Sequence, residues 1–367
     1  MAAVPDSIDI IIPTFRLDEQ YLLPLIHLPK PGGWQFNYYI IADNPGIQPG
    51  AELQRLAEEG VIHLFINSEN KGPGETRNRG IEAGNGSWIL FLDDDIVADN
   101  DLLLQYVKAV KENASAIGFI GLTDFPAPVN AFTRALDAAG LTSIFTIAKK
   151  KEQFMWGVTA NIMFKRSALQ DLRFSPELSA IGGGEDIDLG ARMSMLHGTQ
   201  FMCVKAARVT HPWWNHAQPH FDRFTRYGAG MALLLPRFRA FNWYAFPNPI
   251  EGLVLAFLCA PLFFIFLSWQ KWLIFLAAIP LIDMAVNYVR AAGMGYRELK
   301  VAYYMTLLRC STEWGMFKTL IGQGRPDYLM KRINVDFTRP RHFRTNRWRI
   351  AKLVIYLILL SLLIFIK

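Results

Sequence analysis

Trp88-Ile89-Leu90-Phe91-Leu92-Asp93-Asp94-Asp95 is an unbroken apolar run that ends on three consecutive carboxylates. A short apolar run without polar alternation suits a strand covered on both faces. Side chains alternate along a strand, so Asp93 and Asp95 point the same way if the extended backbone continues. Carboxylates that close repel, and one protonates unless a cation lies between them. Oxygen ligands suit Mg²⁺ or Mn²⁺. The stretch therefore predicts a buried strand with a metal site at its end; acids on a solvated turn are the alternative reading.

Moving outward, Ile8–Ile12, Tyr38–Ala42 and Val61–Ile66 have the same character and are bounded by turn residues. Leu17–Leu28, Ala51–Glu59 and Thr76–Ala83, between them, have helical composition. This alternation predicts an α/β fold with a mostly parallel sheet and helices on both faces. Ligands of such sheets sit beyond the C-terminal ends of the strands.

The 367 residues suffice for two domains, and a 51% hydrophobic, 19% charged composition excludes wholesale disorder. The net charge of +6 suits an anionic partner: nucleotide, lipid head group or nucleic acid. Cys203, Cys259 and Cys310 stand far apart, which excludes a disulfide framework and a cysteine zinc site and fits a reducing compartment. Met1–Ser7 carries Pro5 and Asp6 and no basic run, so it does not read as a signal peptide. The first domain is expected on the side of the membrane where it is made.

Near residue 245 the composition shifts, predicting a domain over 1–245 and a membrane region over 246–367. Ile250–Trp269 holds a single acid, Glu251, and twenty helical residues reach about 30 Å, a bilayer core. Trp272–Val289 is a second apolar run, interrupted by Asp283; only Gln270 and Lys271 separate the two, which predicts a helical hairpin over 250–289. Leu299–Ile321 is amphipathic and is expected in the membrane surface. Arg325–Lys352 carries nine basic residues, Arg341 and Arg344 among them, against Asp327 and Asp336, and reads as cytoplasmic. Its place between two membrane-directed segments favours anionic lipid over nucleic acid. Leu353–Ile366 is a C-terminal apolar helix that Lys352 and Lys367 could extend by snorkelling. The expected location is the cell membrane, multi-pass, with the first domain cytoplasmic.

Two more stretches carry chemistry. In Gly182-Gly183-Gly184-Glu185-Asp186-Ile187-Asp188 the acids open a helix that runs through Met195. Acids there can simply complement the helix dipole, but three glycines in front of them suit close approach to a ligand, and a carboxylate can act as general base. Asn70 to Gly80 is a glycine-bearing loop leading into a helix with Arg77 and Arg79, suited to phosphate. His211 follows a β-like run, Phe201–Val209; His27 and His63 read as structural.

Together these stretches resemble family 2 glycosyltransferases of the GT-A, Rossmann-like fold. Ile10-Ile11-Ile12-Pro13-Thr14-Phe15-Arg16 resembles their opening strand and loop, and Ile40-Ile41-Ala42-Asp43-Asn44 their nucleoside-binding strand end. Asn70 to Gly80 is similar to N-x-G-x-x-x-A-R-N-x-G, with Thr76 in place of Ala. Asp93-Asp94-Asp95 matches the D-x-D motif, Val158 to Arg166 the acceptor region, Gly184 to Arg192 the E-D base motif, and Arg208-Val209-Thr210-His211 a strand-end metal histidine. The resemblance spans about residues 7 to 230.

It implies a role for each matching position. Pro13, Thr14, Arg16, Gly74 and Arg77 would line the donor nucleotide, and Asp43 would bond its base, uracil or another pyrimidine. Asp93 and Asp94 would hold the ribose or metal-bound waters. Asp95 would bind Mn²⁺ or Mg²⁺, with His211 and Asp93 as further ligands. Asp186 would deprotonate the acceptor, with Glu185 beside it. Asn161, Gly184, Arg192 and Trp213 would meet the acceptor or sugar. The implied reaction is inverting transfer from a nucleotide sugar, UDP-linked, to a hydroxyl of a lipid or lipid-linked saccharide. A processive polysaccharide synthase would carry Q-x-x-R-W, but Arg344 precedes Arg347-Trp348 at the required spacing. A polyprenyl-phosphate sugar transferase needs no base for its acceptor, whereas Glu185-Asp186 argues for a hydroxyl. Retention of Asp43, Asp95 and Asp186 argues against a non-catalytic lipid- or sugar-binding protein.

Overall fold

A computed structural model describes residues 6–339 and 346–365. Met1 to Pro5, Arg341, Arg344, Ile366 and Lys367, on which parts of the signal-peptide, basic-stretch and snorkelling expectations fall, lie outside these residues. In chain order the strands are β1 (Ser7–Thr14), β2 (Gln35–Ala42), β3 (Ile62–Ile66), β4 (Trp88–Leu92), β5 (Val97–Ala98), β6 (Gly118–Asp124), β7 (Gln153–Phe154), β8 (Asn161–Lys165), β9 (Phe201–Thr210), β10 (Asn242–Tyr244) and β11 (Lys331–Ile333). The helices are α1 (Glu19–Ile26), α2 (Ala51–Glu58), α3 (Pro73–Ala83), α4 (Leu102–Glu112), α5 (Ala131–Ala138), α6 (Arg166–Leu169), α7 (Pro176–Ile181), α8 (Glu185–His197), α9 (Asp222–Arg237), α10 (Pro249–Leu258), α11 (Ala260–Phe266), α12 (Trp269–Ala292), α13 (Leu299–Gly322) and α14 (Arg347–Phe365).

The chain forms two compact units: 1–127 with 142–216, and 128–141 with 217–367. The boundary thus falls before α9, earlier than 245, and α5 belongs to the second unit. The first unit holds one mixed sheet in the order β3-β2-β1-β4-β8-β6-β9-β5, with β7 on β9, and helices on both faces. β1, β2, β3, β4, β6 and β9 share one direction, while β5, β7 and β8 oppose them. Every residue of β4 is buried, as an unalternating apolar strand at the centre of a sheet requires. At the opposite end from the six strand termini, buried Asp9 of β1 is paired with Arg166 at 2.7 Å and accepts from the Gly86 N–H.

In the second unit α9 and α13 cross closely. A Cβ on Gly228 would fall on the Thr312 carbonyl oxygen, and one on Gly315 on that of Thr225. Val301, Ala302, Met305, Leu308, Met316 and Leu320 of α13 are buried. The amphipathic face of α13 is therefore packed against protein helices, where the sequence suggested a membrane surface. The run Ile250–Trp269 is not one helix: α10 and α11 are bent by 68°, and Ser268 caps the start of α12 by accepting from the Lys271 N–H. α12 and α14 are each long and apolar enough to cross a membrane. Lys352 does not snorkel. It is 1% exposed, and its ammonium donates to Asp283 at 2.9 Å. Asp283, at zero exposure, also pairs with Arg309 at 3.1 Å, and Arg309 with Glu313 at 2.8 Å. The acid that interrupts the apolar run is thus the centre of a buried network.

Candidate active site

Six strands deliver their C-terminal ends to one edge of the sheet. Thr14 closes β1, Asp43 follows β2, Asn67 follows β3, Asp93 to Asp95 follow β4, Asp124 closes β6 and His211 follows β9. Parallel strands make this edge the one place where many loops converge.

The three consecutive aspartates are held differently. Thr14 Oγ1 donates to Asp94 Oδ2 at 2.6 Å and Arg16 Nη2 to Asp94 Oδ1 at 2.8 Å. Burial raises the Asp94 pKa above the usual carboxylate range, by more than these two hydrogen bonds lower it. Arg16 also lies 3.3 Å from Asp95 Oδ2. Asp93 accepts from Arg77 Nη2 at 2.9 Å.

Asp95 Oδ1 faces His211 Nε2 at 3.3 Å. His211 Nδ1 is 2.7 Å from the Pro212 carbonyl oxygen, which can only accept, so Nδ1 carries the hydrogen. Nε2 is then the ring nitrogen free to offer a lone pair to a cation beside Asp95. Asp93, Asp95 and His211 each offer one ligand atom, all within 4.8 Å of one another. Two carboxylates and an imidazole fit Mn²⁺ or Mg²⁺. His211 is fixed from β6, where the Asp124 carbonyl accepts from its backbone N–H at 2.8 Å, and its ring packs among Phe125, Phe145 and Trp214.

Arg77, 4% exposed, joins this cluster to α8: its Nη1 lies 3.8 Å from Glu185 Oε1. Its Nε and Nη1 have no hydrogen-bond partner among the described residues. Gly184, at φ +87°, turns the chain into α8, whose first turn carries Glu185, Asp186 and Asp188. Burial, and then the charge of Glu185, push the Asp186 carboxyl well above the usual range, against the Ile187 N–H that donates to it at 2.8 Å. A carboxylate with its affinity for protons raised this way is suited to general base work.

Several residues singled out by sequence make close contacts within the protein. Asn161 is fully buried: it donates to the Leu122 and Ala207 carbonyls and accepts from the Tyr106 hydroxyl at 2.7 Å, so it ties strands together. Arg192 pairs with buried Asp188 at 2.8 Å and caps the Arg173 carbonyl. Gly74 is a packing glycine; a Cβ there would press on Ser179 and Phe174. Trp213 is 8% exposed, stacks on Phe125 and donates to the Ala127 carbonyl. Asp43 holds the loop after β3, accepting from Asn67 Nδ2 at 2.7 Å and from the Lys71 and Gly72 N–H groups at 2.9 and 2.8 Å. Pro13, half-buried, precedes Thr14 in β1. The sequence reading missed Asp124, which closes β6 beside His211 and pairs with Lys149 at 2.6 Å and Arg208 at 3.7 Å. Its position at the end of an apolar strand, like that of Asp93, was the available signal.

Residues 9–173 match the model of the family described as glycosyl transferase family 2. The match runs from β1 through α6 and includes the three consecutive aspartates. No curated protein matches it in sequence. Among solved structures it is similar to the mannosyltransferase of Pyrobaculum calidifontis in complex with GDP-Man and Mn²⁺, at 15% identity over 88% of this chain and 90% of that one, with a TM-score of 0.53. It is also similar to TarS of S. aureus, at 17% identity over 63% of this chain with a TM-score of 0.44, and to GalNAc-T7 with UDP, GalNAc and Mn²⁺, at 14% identity over 66% with a TM-score of 0.44. This chain spans 39% of the length of that TarS structure and 50% of that of GalNAc-T7.

Proposed function

We propose that this protein transfers a sugar, with inversion, from a nucleoside-diphosphate sugar to a hydroxyl of a lipid or lipid-linked saccharide at the cytoplasmic face of the cell membrane. The observation that carries the reading is the chain of contacts from His211 and Asp95 through the D-x-D acids to Arg77 and Glu185, which joins a divalent-ion donor set to a raised carboxyl on α8. Asp95, His211 Nε2 and Asp93 would hold Mn²⁺ or Mg²⁺, and the bound ion would neutralise the charge developing on the leaving diphosphate. Thr14, Arg16 and Asp94 would orient the donor. Asp186 takes the proton of the acceptor hydroxyl as its oxygen bonds to the anomeric carbon and the bond from that carbon to the diphosphate breaks. One displacement from the opposite face inverts the configuration.

The membrane part of the proposal is a multi-pass anchor. α12 and α14 are long and apolar enough to cross, and Phe257, Leu262, Ile265, Leu273, Leu357 and Phe365 turn large apolar side chains outward. An enzyme held in lipid can meet a lipid-borne acceptor that never leaves the membrane. The test is a transfer assay with UDP- and GDP-sugars, Mn²⁺ or chelator, and paired lipid-linked and soluble acceptors. Metal-dependent transfer that favours the lipid acceptor is expected. Equal rates on both acceptors would refute the lipid reading, and full activity in chelator would refute the metal reading.

A further inference from the structure

Two arginines pair with the three consecutive aspartates, and they differ in freedom. The Arg77 side chain is 5% exposed and bonded to Asp93, whereas the Arg16 side chain is 51% exposed on the loop after β1. One nitrogen of Arg16 serves two acids, Asp94 at 2.8 Å and Asp95 at 3.3 Å. Asp95 is also the acid that faces His211 and belongs to the donor set within 4.8 Å. A guanidinium and a divalent ion would thus share the Asp95 carboxylate, and like charges so placed oppose each other.

We propose that Arg16 is an internal counter-ion that competes with the divalent ion for Asp95 in the ligand-free enzyme and transfers to the donor's diphosphate when the two bind. The inference rests on the metal reading above. A half-exposed side chain can make that move; buried Arg77 cannot. Arg16 then opposes metal binding without nucleotide and supports it with nucleotide, so it couples the two ligands. An empty donor site would hold the ion weakly, and donor and metal would load together.

The sign of the effect separates this from a structural role. Replacing a structural residue weakens metal binding, whereas Arg16→Gln should tighten it. Mn²⁺ binding to the full chain in detergent, read by paramagnetic resonance or calorimetry, should strengthen about three- to tenfold in Arg16→Gln without nucleotide, the scale set by loss of two partly exposed ion pairs. Saturating UDP or GDP should tighten Mn²⁺ binding less in this variant than in the wild type. Arg16→Lys, which keeps the charge, should bind Mn²⁺ as weakly as the wild type. Unchanged or weaker Mn²⁺ binding in Arg16→Gln overturns the proposal. Asp95→Asn separates the two failures. If it leaves wild-type Mn²⁺ binding intact, the metal reading itself falls and the proposal with it. If it abolishes binding while Arg16→Gln changes nothing, only the proposal falls.

Discussion

Asp186 and Asp188 share the first turn of α8, yet their surroundings give them opposite tasks. Asp188 is fully buried and held by Arg192, so it serves the scaffold. Asp186 has Glu185 beside it and a carboxyl whose proton affinity is raised. Asp186→Asn should cut kcat by more than about 100-fold, the range of a lost general base, with donor affinity retained. The base works only when deprotonated, and its pKa is raised, so wild-type kcat should climb as pH rises through that elevated value. The residual activity of Asp186→Asn should lose this limb, and a retained limb would place the base elsewhere. Asn161 gives the contrasting case. Asn161→Ala strands the buried Tyr106 hydroxyl and two carbonyls, each worth about 1–3 kcal/mol when unsatisfied. Urea unfolding should show the loss. A raised acceptor KM with unchanged stability would instead restore its assignment to the acceptor.

At the scale of elements, what α13 does follows from what it packs on. Its sequence is amphipathic enough for a membrane surface, but Gly315 lies against α9 at Thr225 and Gly228 of α9 lies against α13 at Thr312. Only hydrogen fits between the two backbones there. Gly315→Val must part the helices, and overpacking of this kind costs about 1–3 kcal/mol. Thermal unfolding in detergent should fall by several degrees. No change would mean that the crossing is looser than drawn.

For the whole molecule, the second unit is organised around one buried charge. Asp283 on α12 receives Arg309 from α13 and Lys352 from α14, while Arg309 reaches Asn248 before α10 and Glu313. Removing one member of a buried ionic group costs about 3–5 kcal/mol because the remaining charges lose their partner. Asp283→Asn should therefore destabilise the detergent-solubilised protein strongly, and adding Lys352→Met should recover part of the loss, as coupled sites do. Additive losses would show that the pair does not hold α14.

The amino-acid sequence by itself determined β1 to β4 and β9, the edge on which they end and the acids placed there, but not β6 or β8. Strands covered on both faces are mostly apolar, and Ile8–Ile12 (broken only by the ion-paired Asp9), Tyr38–Ala42 and Trp88–Leu92 announce this locally. The D-x-D run, the Glu185-Asp186 pair and His211 were legible because each follows directly from such an element or opens one. Tertiary structure alone decided which polar residues face the site and which brace it. Asn161 is a brace because its partners come from residues 106, 122 and 207, and Lys352 is buried because its partner is residue 283. Gly74 is spent on α7, and Asp43 on a loop that begins beyond β3. Burial and pairing are set by atoms distant in the chain, and no local pattern records which distant atoms arrive.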